Sequence, residues 1–305
     1  MRVAFSNALV EAATQDERVV LLTGDHGYAL FDEFRKRCPN QYINAGIAEQ
    51  NMVGVAAGLA KAGLRPIVYG LSAFVPVRVL EQIKIDVCYE KLPVIFTGDG
   101  AGLVYSTLGT SHQSFEDIAC LRAVPHIEIM SPCDAHELTA CFRMALAQEG
   151  PVYFRMGKAD IGPIHSALPR LQRGGLVQVR AGSHPVVLIA TGSMVKTARA
   201  LGDELDASVW SAPWIKPLDD AQLGALAADA KAFVTLEEHS FAGGLGGAVV
   251  ESIAEATPIP VLRIGIGERF SETCGSHAHA MREHGLDLAT VRERVMPFAA
   301  KWKAP

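Results

Sequence analysis

The sequence predicts an α/β chain built as two α/β domains, and three observations carry that prediction. Short runs rich in Val, Ile and Leu alternate with longer stretches of helical periodicity from end to end. At 305 residues the chain is longer than one ordinary domain requires. Residues 161–183 hold scattered Gly, Pro and Arg without clear periodicity, which is the composition of a linker. The expected division is therefore a first domain over 1–160, a linker over 161–183 and a second domain over 184–305.

Composition excludes several classes of function. With 49% hydrophobic residues there is ample material for real cores. A net charge of −5 and a pI near 6.1, with no basic run or interleaved aromatic patch, argue against nucleic acid as the main partner. Apolar stretches are interrupted by Gly, Pro or charge well short of the ~18 residues that a membrane span needs. The six cysteines, 38, 88, 120, 133, 141 and 274, form no Cys-x-x-Cys pair and read as reduced thiols. Met1–Ala13 reads as an amphipathic helix carrying Glu11 and not as a signal peptide. The expected compartment is the cytoplasm.

Taken in order, Met1–Thr14 is a predicted helix and Val19–Thr23 a buried strand ending in Gly24-Asp25-His26-Gly27. A polar cluster at the carboxyl end of a strand is where α/β proteins place ligands; as an ordinary β–α turn, Asp25 would have no such duty. Next, Tyr42-Ile43-Asn44-Ala45-Gly46-Ile47-Ala48-Glu49-Gln50-Asn51-Met52 runs into a small-residue helix. Its apolar positions Ile47, Val53, Ala56, Ala57, Leu59 and Ala60 fall at helical spacing, and Gly63 and Pro66 end it. Glu49 sits in the first turn, where an acid complements the helix dipole. Pro66–Gly70 is a strand, Leu71–Arg78 a connection containing Phe74, Val79–Tyr89 a helix and Leu92–Thr97 a strand leading to Gly98-Asp99-Gly100.

Gly109-Thr110-Ser111-His112-Gln113-Ser114-Phe115-Glu116-Asp117-Ile118 follows, with Ser114 and Asp117 spaced almost as a capping box. Leu121–Met130 leads to Ser131-Pro132-Cys133-Asp134, a helix start with Glu137 behind it, and Val152–Gly157 is a strand that contains Arg155. In the second domain Val186–Ala190, Ala207–Ser211, Phe233–Leu236 and Val261–Ile264 are strands with helices between them. Gly243-Gly244-Leu245-Gly246-Gly247 lacks the Lys of a phosphate loop and reads as close helix packing. His277, His279 and His284 lack the supporting carboxylates or cysteines of a metal site, and no metal ligands are expected on this chain.

The words around Glu49, Asn44-Ala45-Gly46-Ile47-Ala48-Glu49-Gln50, resemble the signature of the pyrimidine-binding domain in the transketolase and 1-deoxyxylulose-5-phosphate synthase family. The resemblance continues through Ser111-His112-Gln113, Trp214-Ile215-Lys216-Pro217-Leu218-Asp219 and Val234-Thr235-Leu236-Glu237-Glu238-His239, covering nearly the whole chain. It implies that Glu49 bonds N1′ of the aminopyrimidine ring of thiamine diphosphate, favouring the imino tautomer that deprotonates the thiazolium C2. This is acid–base work by a carboxyl kept off water. It further implies that Phe74 stacks on that ring, that Ile47 and Asp25 lie near the cofactor, and that His112 faces the substrate, its imidazole suited to moving hydroxyl protons. Arg155 matches an arginine that grips a sugar phosphate with its planar fork, and Arg2 is a second candidate anchor from its place in Arg-x-Ala-x-x-Asn-Ala.

Two departures shape the expectation. Gly98-Asp99-Gly100 mimics the opening of a diphosphate and Mg²⁺ site, but that motif needs an Asn about 25 to 30 residues later to complete the oxygen ligands. The asparagines, 7, 40, 44 and 51, all lie upstream. Gly100 and Ala101 also stand where relatives carry a basic residue, which thins the anion contacts and leaves room for a nonphosphorylated or carrier-bound acceptor. The resemblance covers only the second and third domains of a full transketolase. It implies the C-terminal subunit of a split enzyme, with Mg²⁺ and diphosphate ligands on a separate N-terminal subunit and assembly as a dimer of heterodimers, a heterotetramer. The activity implied is transfer of a two-carbon ketol unit from a ketose to an aldose or another acceptor. The alternatives are the β-subunit of a 2-oxo-acid dehydrogenase and a non-catalytic assembly subunit.

Overall fold

The computed structural model describes residues 1–27, 29–157 and 162–302. The first domain alternates helices and strands: α1 (Arg2–Gln15), β1 (Val19–Thr23), α2 (Asp32–Arg37), β2 (Tyr42–Asn44), α3 (Glu49–Lys61), β3 (Arg65–Leu71), α4 (Leu80–Gln82), β4 (Ile95–Asp99), α5 (Asp117–Arg122), β5 (Glu128–Met130), α6 (Ala135–Ala147) and β6 (Val152–Met156). The second adds β7 (Val177–Arg180), β8 (His184–Ala190), α7 (Met194–Leu205), β9 (Ala207–Ser211), β10 (Trp214–Lys216), α8 (Asp220–Asp229), β11 (Ala232–Ser240), α9 (Leu245–Ile253), β12 (Val261–Ile266), α10 (His277–Glu283) and α11 (Leu288–Ala300). The two α/β domains match the expected fold class. The expected boundary at residues 160 and 161 lies outside the described residues.

The first sheet has seven strands in the order β10-β5-β6-β4-β3-β1-β2, and the second has five in the order β12-β11-β8-β9-β7. Pairing is parallel except at β10 with β5 and β7 with β9. Parallel strands buried on both faces read as apolar runs, and β1, β4 and β6 are buried at every residue. Alternate residues of β1 serve opposite layers. Leu21 packs with Phe5 and Leu9 of α1 and Phe142 of α6, whereas Leu22 packs with Met52, Val53 and Ala56 of α3. The layer containing α3 does not end with the first domain. It runs without a break into Ile189, Phe233, Leu245 and Val249 of the second, so the domains share one core. A third cluster, centred on α7, α10 and α11, covers the far face of the second sheet.

Several elements differ from expectation. β10 belongs by sequence to the second domain yet closes the edge of the first sheet, Trp214 pairing with Met130. Its three residues are too few for a periodicity signal. β7 lies in the stretch read as linker, where its half-exposed side chains give no apolar run. The helix expected over 79–89 is one α turn followed by a π-helical stretch, Ile83–Cys88. Ser114 does not cap α5: the N-cap is Glu116, whose carboxylate accepts from Phe115 N, and Ser114 Oγ is buried without a partner among the described residues.

Candidate active site

The chain is steered into α3 by local chemistry. Asn44 Oδ1 accepts from Gly46 N at 2.9 Å, an Asx turn, and Gly46 takes φ +69°, which costs glycine little. The turn ends at Glu49, the first residue of α3, which is only 5% exposed. Met52, Val53, Ala56, Ala57 and Ala60 anchor the helix against the sheet, and the small volumes of the three alanines let it lie close. Ile47, expected on that apolar face, is instead outside the helix and 79% exposed, because the tight turn at Gly46 swings it outward.

Glu49 Oε2 is 3.2 Å from Arg78 Nη1. The Arg78 guanidinium in turn lies over the Phe74 ring, 4.1 Å from its centroid, and Phe74 meets the His112 imidazole edge to face at 5.4 Å. Acid, guanidinium, aromatic face and imidazole therefore form one continuous group, although their sequence positions span 49 to 112. Phe74 and His112 are both half-buried. His112 Nδ1 is 3.0 Å from Ser111 Oγ, which constrains the ring.

The loop after β1 borders this group. Asp25 is exposed there, and the adjacent His26 is held below its ordinary pKa by burial, against the opposing pull of Glu49, Asp99 and Asp25. Among the described residues, His26 Nε2 is buried with no hydrogen-bond partner. Arg2 turns toward the buried Asp99, with Nε 3.4 Å from Oδ2, and Tyr105 donates to the same oxygen at 3.3 Å.

Arg155, expected from the resemblance to grip a sugar phosphate, is placed in a buried ion pair. Instead of facing an anion site it is 5% exposed, its Nε donating to Asp117 Oδ2 at 2.8 Å and its Nη2 to the carbonyls of Glu238 at 2.9 Å and Ser114 at 3.4 Å. Tyr153 Oη donates to the same Asp117 oxygen at 2.7 Å. A strand buried on both faces can carry an arginine only by pairing it, and the pairing consumes the fork that a phosphate would need.

The structure also gathers residues the sequence left apart. Cys133, Glu137 and His165 place their ligating atoms within 4.8 Å of one another. They are tied internally: Glu137 Oε2 accepts from Cys133 N at 2.6 Å, and Oε1 lies 3.1 Å from His165 Nε2. Asp134 caps α6 through Glu137 N at 2.8 Å and accepts from Ile164 N and His165 N, both at 2.7 Å. This group fastens residues 164 and 165 to a helix end. His277, His279 and His284 do not converge; they bond Glu238, Thr273 and Ser271 respectively. The glycine segment before α9 receives an internal anion, Leu245 N and Gly246 N donating to Glu237 at 2.7 and 2.8 Å.

Sequence reasoning missed Arg78 and His26. The signal for Arg78 was present, since a lone cation inside Val75-Pro76-Val77-Arg78-Val79-Leu80 has to find an anion or a ring. His26 stood in the polar strand-end cluster, but nothing in the sequence announced that its Nε2 would be buried and unbonded.

Fold and site together define the class. Residues 1–163 match the transketolase pyrimidine-binding domain and residues 175–291 the transketolase C-terminal domain, and the chain belongs to the transketolase family. Among its relatives, an apulose-4-phosphate transketolase subunit of Phocaeicola vulgatus is 33% identical, over 98% of this chain and 97% of that protein. The 1-deoxy-D-xylulose-5-phosphate synthase of Chlorobium luteolum is 40% identical over 96% of this chain and 48% of its own length. The chain thus spans about half the length of such synthases. A solved split-gene transketolase, an inactive β4 tetramer, superimposes with a TM-score of 0.89 at 33% identity, each chain covered to 99%. This chain therefore has the domain make-up of the C-terminal subunit of a split transketolase.

Proposed function

We propose that this chain is the pyrimidine-binding subunit of a thiamine-diphosphate-dependent transketolase, completed by a separate subunit that holds the diphosphate and Mg²⁺. Similarity along nearly its whole length to the Phocaeicola vulgatus transketolase subunit and to a split-gene transketolase supports the two-chain reading. The observation that carries the site is Glu49: a carboxylate 5% exposed at the start of α3, grouped with a half-buried aromatic face and an imidazole. These residues fit the cofactor's pyrimidine. The carboxyl would bond its ring nitrogen, the Phe74 face would receive the ring, and the buried His26 Nε2, with no partner among the described residues, would offer it a further polar atom.

When bound, thiamine diphosphate supplies the thiazolium that stabilises a carbanion. The chain's own contribution is orientation and proton management. Glu49 holds a proton at the pyrimidine nitrogen, and the packed α3 keeps that carboxyl away from bulk water. His112 moves protons at the hydroxyl and carbonyl oxygens of a ketose donor and of the acceptor that takes up the two-carbon ketol unit. With Arg155 committed to Asp117, anion recognition falls to other groups, Arg2 among them, and a sugar that carries no phosphate, or an acceptor held on a carrier, is compatible with the site.

The test is calorimetric binding of thiamine diphosphate with Mg²⁺ to this chain alone and mixed with its diphosphate-binding partner, followed by exchange of the C2 proton in the mixture. Binding and exchange are expected only in the mixture, and Glu49→Gln is expected to lower exchange by at least about 10²-fold, the usual weight of a positioned acid–base group, with the circular dichroism spectrum unchanged. Wild-type exchange rates in Glu49→Gln, or tight metal-dependent binding by this chain alone, would overturn the assignment.

A further inference from the structure

The turn that presents His112 is gripped by the second domain. Residues 267–276, between β12 and α10, lie along residues 106–114. Gly275 N donates to Ser106 O at 3.2 Å, and Thr110 Oγ1 to Ser271 O at 3.4 Å. Cys274 Sγ lies 3.1 Å from where a Cβ on Gly109 would stand, at a residue with φ +78°.

Beneath these contacts runs a chain of side chains whose direction follows from counting protons. Ser106 Oγ donates to Leu103 O, so towards Gln113 it accepts, receiving Nε2–H at 3.1 Å. That fixes the amide of Gln113 with Oε1 facing Ser271, whose hydroxyl donates to it at 3.0 Å. Having spent its only proton, Ser271 Oγ must accept from His284 Nε2–H at 2.8 Å. The chain closes in one sense only. Gln113 is 3% exposed and His284 7%, so water does not readily replace either bond. In this neutral Nε2–H tautomer Nδ1 carries no proton; it is buried with no donor to it among the described residues, and burial together with Arg269 keeps the ring below its ordinary pKa.

We propose that Ser271 and His284 are positioning residues for His112: through Gln113 the second domain fixes the turn that sets the imidazole against Phe74. Neither residue touches substrate in this scheme. The proposal rests on His112 as the group that faces the donor, and it gives the second domain a direct part in holding the reaction centre of the first.

The 305-residue chain itself allows the test. Amide hydrogen exchange across 103–116 and the rate of carbethoxylation of His112 by diethylpyrocarbonate, read by mass spectrometry, are compared in Ser271→Ala, His284→Phe and His284→Gln. Ser271→Ala and His284→Phe should speed exchange of the 106–114 amides by about tenfold or more, as expected when a turn loses its buried bonds, and should change the carbethoxylation rate of His112. His284→Gln keeps an N–H donor in place and should restore both readouts to within about threefold of wild type. Exchange in β1, β4 and β6 should not change. Wild-type behaviour of Ser271→Ala, or His284→Gln acting like His284→Phe, would overturn the proposal. Neither readout involves thiamine diphosphate, so failure here is distinguishable from failure of the transketolase reading, which shows as absent C2 exchange in the wild-type mixture. In the assembled enzyme the same two disruptive variants should lower kcat about tenfold with the donor KM within about twofold, because misplacing a proton-transfer group acts on bound substrate.

Discussion

Arg78 holds the candidate site in its present state. Its guanidinium neutralises a carboxylate that is 5% exposed and at the same time lies 4.1 Å from the centre of the Phe74 ring, the face a planar cofactor would use. A pyrimidine that stacks on that face of Phe74 must therefore displace the guanidinium. Because Arg78 is itself 46% exposed, its pairing is partly screened and its departure is cheap. Arg78→Ala should cost the chain about 1 kcal/mol in urea unfolding, the sum of a modest cation–π contact and a half-screened ion pair. Arg78→Lys should recover only part of it, since an ammonium keeps the charge and loses the planar stack. Full stability of Arg78→Ala would show that the pairing contributes nothing measurable. Glu49, Phe74 and His112 were legible in the sequence through their motifs. The pairing of Arg155 with Asp117 was not legible, because a motif position says nothing of burial: the same planar fork that suits a phosphate suits a buried aspartate equally well.

At the scale of elements, β11 shows how a sheet strand carries charge into a core. Glu237, Glu238 and His239 are all buried, and each is satisfied by a different element: Glu237 by the start of α9, Glu238 by Leu103 N and His277, and His239 by α5. His239 Nδ1 donates to Ser240 O at 2.7 Å, which leaves Nε2 to accept from Ala119 N at 3.3 Å. Only the neutral ring can do both, and burial pushes its pKa down to about 4. A histidine whose pKa is depressed on folding contributes stability that is fully present above its unfolded pKa, about 6.5, and is lost as pH falls through about 4. Protonation of this ring therefore removes roughly 3 kcal/mol between pH ~6.5 and pH ~4, set against the neighbouring Glu237, whose pKa burial raises to about 7 and which acts in the opposite sense. His239→Gln keeps one donor and one acceptor and should flatten that limb of the stability curve. An identical pH profile in the variant would exclude His239 as its source. Apolar strand runs made β8 and β11 legible in the sequence, whereas β7 and β10 were not. An edge strand with one neighbour or only three residues is specified by its partner, here β9 and β5, more than by its own pattern.

At the scale of the whole molecule, the two domains do not behave as beads on a string. One apolar cluster joins α3 and β4 to β11 and α9, β10 completes the other domain's sheet, and Arg155 of β6 bonds both Asp117 and the carbonyl of Glu238. Domains that share a core and exchange a strand should unfold together. In urea the chain is expected to show one transition, with the slowest amides of β4 and β11 exchanging at the same free energy. The Arg155–Asp117 pair lies at that seam, and both side chains are almost fully buried, at 5% and 0% exposure. Removing one member leaves the other as an uncompensated charge, so Arg155→Met should cost about 3–5 kcal/mol. Arg155→Met combined with Asp117→Asn should recover a large part of that, because the stranded charge is gone. The same pair of variants separates the two roles considered for Arg155. A residue that grips substrate would leave unfolding within about 0.5 kcal/mol of wild type and raise KM. A residue that pins the seam lowers stability by several kcal/mol, and its loss is relieved by the second substitution, a relief that substrate binding could not produce.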